Sequence, residues 1–120
     1  MNEKVKVLLG KTITHIYNNE AEIIFTTIEG DKYKMYHYQD CCETVTIEDI
    51  IGDLSDLLNS PITMAEEVIS SKNPDDIIKN LQDSFTWTFY KFATVNGYVT
   101  IRWYGESNGF YSETVDFCKL

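Results

Sequence analysis

The chain has 120 residues, a net charge of −9 and a hydrophobic fraction of 43%, which excludes a disordered polypeptide and suits one domain spanning 1–120. The acidic balance disfavours direct binding to a nucleic-acid backbone, which needs a basic surface. The opening "MNEKVKVLLGKTITH" lacks a secretory apolar region, and no apolar run approaches the ~18 residues of a membrane span, so a cytoplasmic protein is expected. In that compartment its cysteines, an odd three, are expected to stay reduced.

In chain order, "KTITHIYNN" and "AEIIFTTIEG" are β-branched runs separated by the turn signal Asn18-Asn19-Glu20, and Gly30-Asp31 leads into "KYKMYHY". Together they predict an antiparallel meander over about residues 11–38. "IEDIIGDLSDLLNSP" then spaces Ile47, Ile50, Ile51, Leu54, Leu57 and Leu58 at three and four, the pattern of a helix face. Gly52 interrupts it, Asp53 suits the N-cap of a second piece, and Asn59-Ser60-Pro61 ends it. "ITMAEEVIS" fits strand or helix, and "KNPDDIIKNLQDS" opens like a short helix, with Asn73 as cap and Pro74 at the first position. The last third carries three aromatic, β-branched runs, "SFTWTFYKFATV", "GYVTIRWYG" and "GFYSETVDFCKL", linked through Asn96-Gly97 and Ser107-Asn108-Gly109. They predict a second meander over about 85–118. The predicted fold class is α+β: two antiparallel β meanders flanking a short acidic helical insert.

The charge imbalance is concentrated. From Asp40 to Asp83 eleven acids face only Lys72 and Lys79, and the rest of the chain is neutral. Solubility accounts for such a segment, and so does a basic protein partner. On the second reading Glu48, Asp49, Asp53, Asp56, Glu66 and Glu67 are the partner-binding candidates.

The stretch "YHYQDCCE" offers His37, Cys41 and Cys42 as zinc ligands, with Asp40 or Glu43 as the fourth. The spacing departs from the standard paired Cys-x-x-Cys patterns. Buried thiols at the start of the insert, with Asp40 as its cap, explain the same residues. A catalytic cysteine would need a base and an oxyanion site; His37 and His15 are the available bases, but no nucleophile elbow or phosphate loop accompanies them, so an enzyme is not expected. Arg102, the only arginine, lies among aromatics. That setting suits an anion or nucleotide clamp, which would make the protein a sponge for a nucleotide signal; an internal ion pair with Glu106, Glu113 or a central acid is the simpler reading.

The strings "YHYQDCCETVTIEDIIGDLSDLLNSPITMAEE" and "TWTFYKFATVNGYVTIRWYGESNGFYSETVDF" resemble a family of small phage and prophage proteins, known chiefly as an uncharacterised domain. The similarity covers most of residues 10–117. Relatives of this kind include a zinc-containing anti-CRISPR inhibitor of a type II Cas9. The resemblance implies a non-enzymatic inhibitor acting in the host cytoplasm, with structural zinc held at His37, Asp40, Cys41 and Cys42. It also implies an acidic segment set against a basic surface of Cas9. A structural phage protein is the plainer alternative.

Overall fold

The computed structural model describes residues 4–72 and 84–120. Among the described residues eight strands form two antiparallel sheets. The strands are β1 (Ile13–Asn18), β2 (Glu22–Thr27), β3 (Lys32–Tyr36), β4 (Thr44–Ile51), β5 (Met64–Ser70), β6 (Ser84–Thr94), β7 (Gly97–Ser107) and β8 (Asp116–Lys119). One sheet has the order β1-β2-β3-β8 and the other β4-β7-β6-β5. Two short 3-10 turns, Val5–Leu8 and Leu54–Leu57, are the only helical elements among the described residues.

A single core fills the space between the sheets. Ile13, Ile23, Phe25, Tyr33, Met35 and Phe117 face inward from the first sheet, and Val45, Ala65, Tyr90, Phe92, Val99, Ile101 and Trp103 from the second. Phe25 meets Phe92 across the gap with ring centroids 5.6 Å apart, and the Trp103 indole N–H donates to Met35 Sδ at 3.2 Å. Each such fully buried side chain contributes about 1.5–3 kcal/mol through area removed from water. Away from the register shifts in β1 and β4, the inward residues alternate with outward ones along the strands, as the pleat requires.

The α+β expectation is overturned, because the predicted acidic helical insert is β4, a 3-10 turn and β5. The reason lies at a β-bulge. Val45 and Ile47 face the core on alternate positions, the register then slips between Ile47 and Asp49, and Ile50 faces the core on the opposite parity. One inserted residue, Glu48, converts a two-residue period into an apparent three-residue step. Leu54 and Leu57 of the 3-10 turn extend the imitation, so the apolar spacing reads as a helix while the backbone is extended. Asp53 does cap that turn, accepting from the Ser55 N–H at 2.9 Å. The short helix expected from Asn73 lies outside the described residues.

The two predicted meanders have different outcomes. β1, β2 and β3 are consecutive neighbours. β6 and β7 form a long hairpin, with Gly97 beside the turn because a Cβ there would lie 2.6 Å from Asp56 Oδ2. The third run does not continue that hairpin. Only Asp116–Lys119 is strand, and it crosses to pair with β3 in the other sheet. Residues 108–115 are therefore a loop over one end of the sandwich, next to the loop that joins β3 to β4.

Candidate functional site

The stretch "YHYQDCCE" forms the β3–β4 loop, and its organiser is Glu43. This carboxylate is 3% exposed and accepts the N–H of Asp40 at 2.8 Å and of Cys41 at 2.9 Å. Its Oε2 also lies 2.7 Å from His37 Nε2. Burial alone would push the Glu43 carboxyl up, but the two backbone N–H groups and the His37 imidazole more than offset it and hold it down at about 2. The other ring nitrogen of His37, Nδ1, lies 2.7 Å from the Thr114 carbonyl oxygen. Through these two contacts the His37 ring ties the two loops together.

The second loop has a buried carboxylate of its own. Glu113 accepts from Thr86 Oγ1 at 2.7 Å and from Ser107 Oγ at 2.5 Å. Gly105 lets the loop close down on β7, since a Cβ there would meet the Glu113 carbonyl oxygen at 2.7 Å. The tip is held by local bonds: Ser107 Oγ accepts from the Gly109 N–H at 3.0 Å, and Asn108 Oδ1 from the Phe110 N–H at 3.0 Å. On this fixed frame two aromatics stand in solvent, Phe110 at 88% exposure and Tyr38 at 72%. Between the loops runs a cleft of about 180 Å³ lined by Cys42, Thr44, Glu106, Ser107 and Asn108.

The zinc expectation is corrected by this geometry. Cys41 and Cys42 are exposed and joined to each other as a disulfide, and both His37 nitrogens are engaged. Asp40 contributes its backbone N–H to Glu43. Among the described residues no group of three or more His, Cys, Asp or Glu side chains is arranged to hold a metal ion. The donor set does not fit zinc, and the reading of these cysteines as buried thiols is replaced as well. Cys118 is a free, half-buried thiol on β8.

The six acidic partner candidates are not brought into one patch. Glu48 and Asp49 lie on the β4 edge, where a groove of about 420 Å³ also takes in Asn18, Asn19 and Glu20. Asp53 caps the 3-10 turn, and half-buried Asp56 lies against Gly97. Glu66 and Glu67 lie on β5, at the opposite edge of the same sheet, where Glu67 accepts from the Tyr90 hydroxyl at 2.7 Å.

Arg102 is 8% exposed, with its guanidinium 5.7 Å from the Trp87 ring centre and 3.8 Å from Asp49, one of the central acids. Its aromatic companion is Trp87, which lies with Tyr104 on the face of the sheet away from the core; Trp103 points the other way, into the core. Sequence reasoning missed Phe110, Tyr38, Ser107 and Glu113 as a working group. The Asn-Gly-Phe-Tyr string carried the signal for an aromatic turn; nothing local marked Glu113 as buried.

The family model described as Domain of unknown function (DUF7448) matches residues 6–117, so the chain belongs to that family. That description names no activity, and it lends no support to phage origin, an anti-CRISPR role or Cas9 inhibition; with the metal centre gone, those expectations are withdrawn. No curated protein and no solved structure matches the chain. Among the described residues no helix is long and apolar enough to cross a membrane.

Proposed function

We propose that this member of the DUF7448 family is a non-enzymatic binding protein that grips a basic protein surface with the loop end of its sandwich. The observation that carries the reading is the pair of adjoining loops, each fastened by a buried carboxylate, that hold Tyr38 and Phe110 out in water. Rigid exposed aromatics lose little conformational entropy on binding and are the residues that dominate interface energetics. Tyr, Ser, Asn and Gly around them supply adaptable hydrogen bonds, as in the loops of antibody domains.

The acids have a separate role. A chain of charge −9 draws in a positively charged partner, and side chains such as Glu48 and Asp49, on the strand that runs directly from this end, raise the encounter rate more than the final affinity. Basic faces of this kind are standard on proteins that handle nucleic acid, so occupying one would block access of the nucleic acid. Inhibition by occlusion is the simplest consequence of such binding.

The test is recovery of the tagged full chain from its native cells at low and high salt. A basic protein should be retained at low salt and lost at high salt, because the attraction is screened. Tyr38→Ala/Phe110→Ala should lose it while keeping the wild-type melting temperature. Retention by the double variant, or a partner with no basic face, would overturn the reading.

A further inference from the structure

Cys41 and Cys42 are neighbours in sequence, exposed at the loop end, and joined through their sulfurs. A cross-link between adjacent residues closes almost no chain, so it removes almost no loop entropy from the unfolded state. It is therefore not a staple for the fold, whose core lies between the sheets. Its effect is local: it closes a small ring around one peptide bond and restricts the backbone that presents the Asp40 and Cys41 N–H groups to Glu43. From Glu43 the connection continues through His37 to the Thr114 carbonyl, and so to the loop that carries Phe110.

We propose that the Cys41–Cys42 pair is a reversible thiol–disulfide site that sets the order of both loops at this end of the molecule. The reductant is a small monothiol. Its thiolate attacks one of the two sulfurs, breaking the protein S–S bond and forming a mixed disulfide; the released protein sulfur takes up a proton. A second monothiol attacks the mixed disulfide and leaves as the small-molecule disulfide, and the other cysteine takes up a proton. Two electrons and two protons pass from two small thiols to the pair, and oxidation by the small-molecule disulfide runs the same steps backwards. Both residues are exposed, which lets a small thiol reach the pair.

In the closed form the turn is held and Glu43 keeps both backbone donors. In the open form residues 41–42 regain their freedom, those two hydrogen bonds loosen, and the His37 bridge to Thr114 loosens with them. The inference stands apart from the identity of any partner, because all of its readouts belong to the protein alone.

The experiment equilibrates the full-length protein with reduced and oxidised glutathione at a series of ratios, then labels free thiols with a maleimide and counts them by mass. One label, on Cys118, is expected at the oxidised limit and three at the reduced limit; Cys118→Ser should shift these to none and two. Amide exchange over 37–43 and 107–115 should be severalfold faster in the reduced form, while the strands β6 and β7 stay unchanged. Cys41→Ala/Cys42→Ala should show the amide exchange of the reduced form, and one label, at every ratio. Three labels at every ratio would overturn the proposal. So would closure that leaves exchange in both loops unaltered, which would make the cross-link inert.

Discussion

The loop end and the β4 and β5 edges of the second sheet are both rich in carboxylates, yet the two regions use them in opposite ways. Glu43 and Glu113 are buried, and each is surrounded by donors that fix the backbone of a loop. Glu48, Asp49 and Glu66 are exposed on edge strands, where water screens them; Asp49 also lies 3.8 Å from the Arg102 guanidinium, and beyond such local contacts these acids add to a long-range field. The difference teaches that the charge count of a segment says little about its role. A carboxylate with its oxygens filled by N–H and O–H groups is part of the scaffold; one facing solvent is available to a partner and also keeps a bare sheet edge from pairing with another chain.

The sharpest way to break this contrast is at Glu43. Glu43→Ala removes the acceptor for two backbone N–H groups and for His37 at once, and should produce the largest fall in melting temperature among these variants, with accelerated amide exchange at 37–43 and 108–115. The same group predicts a pH dependence. Its folded value of about 2 lies below the ordinary 4.5, so its stabilisation is fully present above 4.5 and is lost as pH falls through about 2. Thermal melts over that interval should decline more steeply in the wild type than in Glu43→Gln; parallel curves would contradict the assignment.

Glu113→Ala should follow. It leaves the Thr86 and Ser107 hydroxyls without their acceptor, at about 3 kcal/mol by urea unfolding, as expected for hydrogen bonds to a buried carboxylate. Gly105→Ala should cost somewhat less, about 2 kcal/mol, because its methyl group forces the loop backbone off β7. Unfolding of Gly105→Ala with an unchanged midpoint would show that the loop adapts freely.

The exposed acids should give the smallest effect on stability. Glu48→Lys and Glu66→Lys should each shift unfolding by no more than about 0.5 kcal/mol. Both should slow association with a basic partner and flatten its salt dependence. A large loss of stability in either would erase the distinction between the two regions.

Parts of this arrangement are readable from residues alone. Alternation in "KYKMY" puts Tyr33 and Met35 on one face of β3 without saying which face is buried, and the structure turns that face to the core with Ile23 and Phe25 of β2. "SFTWTFYKFATVNGYVTIRWYG" read as a hairpin, and β6 and β7 pair along their whole length. Local turn chemistry at Asp53-Ser55 was equally visible. Reasoning from spacing failed where one residue slipped the register at Glu48, because a bulge changes the period without changing the composition. It failed again at "GFYSETVDF", whose strand-like pattern is split between a loop and a strand paired in the other sheet. The metal reading of His37, Cys41 and Cys42 failed because donor type does not reveal which donors are already occupied.

The sequence by itself determined a β-rich, acidic chain with strong hairpins, since those follow from side-chain shape, alternation and turn residues acting over a few positions. Only the tertiary structure decided that β8 crosses to β3, that Glu43 and Glu113 are buried while Glu48 and Glu66 are not, and that Tyr38 and Phe110 stand on adjoining loops. These are contacts between residues distant in the chain, and whether a carboxylate is desolvated depends on what packs over it rather than on its neighbours in sequence.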